Sequence, residues 1–110
     1  MFLDNFIDEA IKESKKSNMN FKHGAVIIYR NKIISRGYNR YFKYNRLKSG
    51  KYFSIHAEVM AIRNCQDHSI LPKCVMIVVR AKNNKSRPSK PCRDCQKYLK
   101  KMKIHKILHS

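Results

Sequence analysis

The sequence predicts an α/β fold in which helices pack on a mixed β-sheet. Three observations carry that expectation. An amphipathic helical stripe opens the chain, two β-branched runs joined by a short polar connection follow it, and a helix–strand–helix–strand succession fills the second half. The resulting order, α-β-β-α-β-α-β, makes a hairpin of the first two strands. The later strands are then parallel and joined by right-handed crossovers, the hand that lets a helix pack back onto a twisted sheet.

Phe2, Leu3, Phe6, Ile7, Ala10 and Ile11 recur at helical spacing with Asp and Lys between them, which gives the first helix one apolar face. The polar stretch KKSNMN, poor in helix formers, should end it. GAVIIYR (24–30) reads as a strand, Asn31-Lys32 as a tight connection, and IISRGYN (33–39) as the return strand. The segment RYFKYNRLKSGKYFS (40–54) is basic and aromatic without a clean period, and reads as a long loop over the sheet edge or the site. From His56 the pattern turns helical, with Ala57, Met60, Ala61 and Cys65 near one stripe that Val59 and Ile62 broaden; Pro72 ends the loop that follows. CVMIVVRA (74–81) is continuously apolar, as expected of a strand covered on both faces. KNNKSRPSK (82–90) reads as a polar, basic loop. Pro91 stands where proline best opens a helix, CRDCQKYLKKM continues that helix, and KIHKILHS (103–110) reads as a last strand.

A chain of 110 residues is sized for one core, so residues 1–110 are expected to form one domain. No apolar run reaches 18 residues, and MFLDNFIDEA carries acids where a secretory leader needs bases. The expected location is therefore intracellular and cytoplasmic. In that reducing setting four cysteines read as metal ligands or buried thiols rather than disulfides. The net charge is +18, and it is uneven. Asp4, Asp8, Glu9 and Glu13 crowd the first thirteen residues, whereas beyond them only Glu58, Asp67 and Asp94 face twenty-four Lys and Arg. A surface of this kind attracts phosphates, which makes nucleotides, RNA or single-stranded DNA natural partners.

The chemistry concentrates in His56-Ala57-Glu58 and, one helix–strand unit later, Pro91-Cys92-Arg93-Asp94-Cys95. Cysteines three apart on a helix share a face, and in a first turn the helix dipole favours their thiolates. Two sulfurs and one imidazole make three zinc ligands and leave a fourth position for water, which marks a catalytic rather than a structural site. On a regular helix, side chains two apart diverge by about 200°. His56 and Glu58 can therefore share one centre only if the helix begins at His56. Glu58 then lies near the metal without binding it, placed to move protons. Cys65 and Cys74 read as buried thiols.

The blocks GAVIIYRNKIISRGYNR, SIHAEVMAI and PCRDCQKYLKKMKIHKI, in that order, resemble the cytidine and deoxycytidylate deaminase family. The resemblance spans nearly the whole chain, and the H-x-E with P-C-x-x-C pair is the signature of zinc nucleobase deaminases. It implies a three-layer α/β/α fold and a Zn2+ cofactor held by His56, Cys92 and Cys95. It also implies Glu58 as general acid/base, and hydrolytic deamination of cytosine in a nucleoside or nucleotide to uracil and ammonia. It further implies that Asn39 of Gly37-Tyr38-Asn39 bonds the sugar or base, that the Ala57 backbone N–H meets the pyrimidine carbonyl, and that Val26 walls the base. The family fold has five strands, and the last one legible here corresponds to its fourth. A sheet lacking the fifth strand is thus expected, with an exposed edge that favours a homo-oligomer.

Two other readings stand beside this one. The same chemistry can act on transfer RNA adenosine or on polynucleotide cytosine, with Tyr41, Phe42, Tyr44, Tyr52 and Phe53 as a stacking surface. Alternatively, Cys92, Cys95, His105 and His109 imitate a non-catalytic zinc finger, though the gap is short and His56 and Glu58 go unexplained.

Overall fold

In the computed structural model, residues 3–19, 21–43, 52–82, 85–87 and 93–109 are described. Helix α1 (Leu3–Ser14) leads into strands β1 (Lys22–Tyr29) and β2 (Lys32–Tyr38), which pair antiparallel. A two-stranded ribbon follows, β3 (Arg40–Lys43) with β4 (Tyr52–Ile55). Helix α2 (Ala57–Asn64) and a short 3-10 helix (His68–Lys73) lead to β5 (Val75–Lys82), then β6 (Lys85–Arg87), α3 (Arg93–Lys101) and β7 (Lys106–His109).

The main sheet runs β2-β1-β5, and the far edge of β5 is divided between two partners. Its first half, Val75–Val78, pairs parallel with β7, and its last residues, Arg80–Lys82, pair antiparallel with β6. The parallel β5–α3–β7 unit is the expected crossover. Four strands thus form the expected mixed sheet. The strand that brings the count to five is the hairpin return β6, and among the described residues none follows β7.

Alternation along β1 and β5 sorts the core into two layers. Ala25, Ile27, Met76 and Val78 pack with Ala57, Ala61 and Ile62 of α2 and Leu99 of α3. Val26, Ile28, Ile77 and Val79 pack instead with Ala10 of α1, backed by Phe6, Ile7 and Ile11. Helices on both faces explain why Met76–Val79 shows no polar alternation: neither side of this stretch of β5 meets water. The same sorting corrects the expectation for Val26. Its side chain is fully buried in the layer beneath α1, on the opposite face from α2, and so serves as core rather than as a wall for a base.

Three local readings also change. The hairpin turn is Arg30-Asn31, one residue earlier than expected, with both residues at positive φ (51° and 62°) and Tyr29 opposite Lys32. Two positive φ angles match the right-handed twist of the strands, and the strand register outweighs the preference of Arg30 for negative φ. The segment 40–54 is not loop throughout, because its ends pair as β3 and β4. Part of 82–90 pairs with β5 as β6. These three strands depend on long-range or hairpin hydrogen bonds that no hydrophobic period announces.

Helix α2 is seated on β2 by small groups. At Gly37 a Cβ would overlap Ala57 O and Ala61 N and lie 2.9 Å from Ala61 Cα. The Ser35 hydroxyl donates to Ala61 O in the buried interface, and Asn64 Nδ2 donates to Arg36 O at 2.8 Å. A glycine beneath the first turns of α2 lets the helix lie directly on the strand, and this sets where its N-terminus falls.

Candidate active site

His56 is the N-cap of α2, with extended backbone (φ −76°, ψ 152°), and Met60 N donates to His56 O. Glu58 is therefore the second helical residue, the arrangement that lets an imidazole and a carboxylate two apart converge. Glu58 is only 4% exposed and lies in the first turn, where the helix dipole favours a carboxylate. Cys95 occupies the corresponding first turn of α3 and is also buried. Its Sγ lies 2.9 Å from His56 Nδ1, and ligand atoms of His56, Glu58 and Cys95 all fall within 4.8 Å of one another. An imidazole and a thiol meeting beside a carboxylate are donors that zinc accepts. On chemistry and proximity this group fits the metal. Cys92 and Pro91 lie outside the described residues, as do Tyr44 and the greater part of the basic loop.

Three further side chains reach this end of the sheet; the sequence reading missed His23 and Arg80, and named His109 only as a ligand of the alternative finger. His23 shares the face of Ala25 and Ile27 on β1, and its register partner on β5 is Arg80, on the face of Met76 and Val78. Burial pulls the His23 imidazole below its ordinary pKa; Glu58 opposes that shift, while Arg80 and His56 reinforce it. His109, at the end of β7 beside Val78, is likewise lowered by burial and raised by Glu58. Its buried Nδ1 has no hydrogen-bond partner among the described residues. The signal available in advance was parity: once Ala25 and Val78 are assigned to the α2 face, His23 and Arg80 follow by alternation.

Asn39 is buried and holds the start of β1. Its Oδ1 accepts from His23 N at 2.8 Å and its Nδ2 donates to Phe21 O at 2.6 Å, while Asn39 N donates to His23 O at 3.3 Å. The Ala57 N–H belongs to the first turn of α2, where amides lack intrahelical acceptors. Cys65 and Cys74 are buried as expected. Cys74 Sγ donates to Ile70 O, and burial pushes its thiol pKa up. His105 is exposed and lines a separate cleft with Gln96, Leu99 and Ile107, away from the His56 group.

A mixed sheet between helical layers, with His56 and Glu58 meeting Cys95 across two helix starts, defines a protein of the cytidine deaminase fold with a candidate zinc centre. The chain belongs to the cytidine and deoxycytidylate deaminase family: the profile of that family's zinc-binding region matches residues 2–110. Among solved structures, the dCMP deaminase of cyanophage S-TIM5 superposes with a TM-score of 0.65 at 18% identity, over 94% of this chain and 78% of that one. Cytidine deaminase from Burkholderia pseudomallei gives 0.65 at 20% identity, over 94% and 79%. The Mycobacterium tuberculosis cytidine deaminase gives 0.61 at 12%, over 97% and 82%. No curated protein sequence matches significantly. No helix among the described residues is long and apolar enough to cross a membrane.

The ligand set has a direct test in metal content. Purified protein is expected to hold about one zinc per chain, measured by atomic emission, and His56→Ala, Cys92→Ala and Cys95→Ala should each empty the site. His105→Ala and His109→Ala should leave zinc unchanged. Loss of zinc from the latter pair, with His56→Ala still loaded, would establish the finger arrangement instead.

Proposed function

We propose that this chain is a zinc-dependent hydrolase that deaminates the cytosine of a nucleoside or nucleotide. The observation that carries this reading is the meeting of His56, Glu58 and Cys95 at two helix starts, within a chain of the deaminase family. One related protein, the S-TIM5 dCMP deaminase, has been solved with dCMP and dUMP bound, a substrate and product of this kind.

His56, Cys92 and Cys95 would hold the metal, and zinc when bound would lower the pKa of a water toward neutrality. Glu58 accepts the proton of the attacking water and delivers it to the ring nitrogen next to the amino-bearing carbon. It then takes the proton of the hydroxyl just added to that carbon and passes it to the amino group, so that the carbonyl forms, the C–N bond breaks and ammonia leaves. Its burial keeps bulk water from competing for that proton, and the α2 N-terminus favours the carboxylate between steps. The Ala57 N–H is offered to the pyrimidine carbonyl. Asn39 spends its Oδ1 on His23 N and one Nδ2 hydrogen on Phe21 O, so among the described residues one amide hydrogen is left for the substrate sugar.

β7 pairs only with β5 among the described residues, and Leu108 on it is 44% exposed. These observations support a homo-oligomer, to be checked by light scattering. Ammonia release from cytidine, CMP, dCMP, adenosine and RNA tests the substrate class, and turnover of adenosine or RNA alone would overturn it.

The net charge of +18 favours a second reading, action on a polynucleotide. Salt separates the two. Strand binding should fall with a slope of about −0.7 per phosphate contact on a logarithmic scale, whereas mononucleotide turnover should survive about 0.3 M salt. If mononucleotide turnover is absent while oligonucleotide deamination is robust and collapses in a Lys48→Ala, Lys51→Ala double variant, the polynucleotide reading replaces the first.

A further inference from the structure

Phe21 is 62% exposed, a large apolar ring at the surface. It is not bare. The guanidinium of Arg80 lies over it, 4.7 Å from the ring centroid. The two residues are brought together by the β1–β5 register, which sets Arg80 opposite His23, and by Asn39, which ties Phe21 O and His23 N to one amide. The ring and the cation are therefore anchored to the same strand start that faces Glu58 and His56.

The position of Arg80 matters because of what it lacks. Among the described residues the ion pairs join Lys12 and Arg36 to Glu9, and Lys16 to Glu13, all on or against α1. None involves Arg80. Stacking on an aromatic face uses the flat side of a guanidinium and leaves its edge N–H groups for an in-plane acceptor. Such an edge matches two oxygens of a phosphate, and an arginine already held in one orientation loses little entropy on binding it. The neighbours reinforce the sign. His23 lies beside Arg80 and His109 lies on the same face near Glu58, so this end of the sheet presents positive and neutral nitrogen groups around one catalytic carboxylate. The carboxyl ends of β5 and β7, where the far edge passes from β7 to β6, are also where α/β sheets bind ligands.

We infer that Arg80, stacked on Phe21, binds the phosphate monoester of a cytosine nucleotide whose base reaches Glu58, so that the substrate is the mononucleotide rather than the free nucleoside. This rests on the deaminase reading above and narrows it to one substrate class. Phe21 acts through Arg80 as a positioning residue, and His23, one strand over, borders the path between phosphate and base.

The test compares zinc-loaded wild type with Arg80→Ala, Arg80→Lys and Phe21→Leu on dCMP, CMP, deoxycytidine, cytidine and a cytosine-containing single-stranded oligonucleotide. Wild type should favour the nucleotides in kcat/KM. Arg80→Ala should cut the nucleotide-to-nucleoside ratio by about 10- to 100-fold, through KM, which is the scale of a lost charge-assisted hydrogen-bond pair. Arg80→Lys should restore part of it, and Phe21→Leu should weaken it less than Arg80→Ala does. Arg30→Ala, which removes a different stacked arginine over Tyr29 in the hairpin turn, should leave the ratio unchanged. An unaltered ratio in Arg80→Ala, or an equal loss on nucleoside and nucleotide, overturns the assignment. A drop confined to oligonucleotide substrates overturns it in favour of a phosphodiester contact. If wild type deaminates nothing, the deaminase reading fails. Calorimetry of dCMP and inorganic phosphate with wild type and Arg80→Ala then decides the subsite separately, with tighter dCMP binding to wild type supporting it and equal binding overturning it.

Discussion

Glu58→Gln is expected to abolish nearly all deamination, by at least about 10²- to 10⁴-fold in kcat, while zinc content and the unfolding midpoint stay close to wild type. The amide keeps the shape of the side chain and can still hydrogen-bond, but it cannot take a proton from water at neutral pH. Glu58 is buried beside His56 and Cys95, so its loss removes a proton carrier that solvent cannot replace. Glu58→Ala asks the same question with a small cavity added, and both variants should behave alike in turnover. The informative comparison is between zinc content and rate. A variant that loses both together would place Glu58 among the ligands, and one that retains turnover on the best substrate would sink the proton-carrier role.

Gly37→Ala should destabilise the fold strongly, as should Gly24→Ala, whose Cβ would overlap Ala10 O of α1. At Gly37 the added Cβ would overlap backbone atoms of α2, Ala57 O and Ala61 N, which cannot rotate away as a side chain would. Either β2 or α2 must move, and the cost is expected to be about 3 kcal/mol, the upper end of overpacking penalties. For a chain of this length that lowers Tm by roughly 10 °C or more. The displaced element carries Ala57 and the first turn of α2, so the folded fraction should also lose kcat, because His56 and Glu58 shift relative to Cys95 on the separate helix α3. Thermal unfolding and activity per folded molecule read the two effects independently. A Tm within about 2 °C of wild type would show that the helix–strand contact is looser than described.

The part of the candidate group that the structure brings together was legible because its spacing is local. His56 and Glu58 are two apart, and helix geometry lets them share one centre only if α2 begins at His56, a condition that the N-cap at His56 meets. Cys92, three residues before Cys95, lies outside the described residues. Helix α1, the hairpin, β5 and α3 were equally legible, each announced by its own period or by proline placement. The paired ribbon β3–β4 was not, since its four-residue strands carry no alternation strong enough to separate them from a basic loop. Val26 was assigned by resemblance to the wrong side of the sheet. Only the sorting of alternate residues between α1 and α2 shows that Val26 faces away and His23 faces in.

The sequence by itself singled out His56, Glu58 and Cys95 as members of a candidate zinc group, because they lie within short, regular spacings whose geometry the helix dictates. The tertiary structure decided the surroundings of that centre. His23, Arg80 and His109 come from three strands remote in sequence and share one face through the pairing of β1 with β5 and of β5 with β7. A slip of one residue in either pairing would send those side chains to the α1 face, since side chains alternate strictly along a strand. Register is a property of the packed sheet, held by two buried layers and by small residues such as Gly37. No local pattern encodes which residue will stand opposite which.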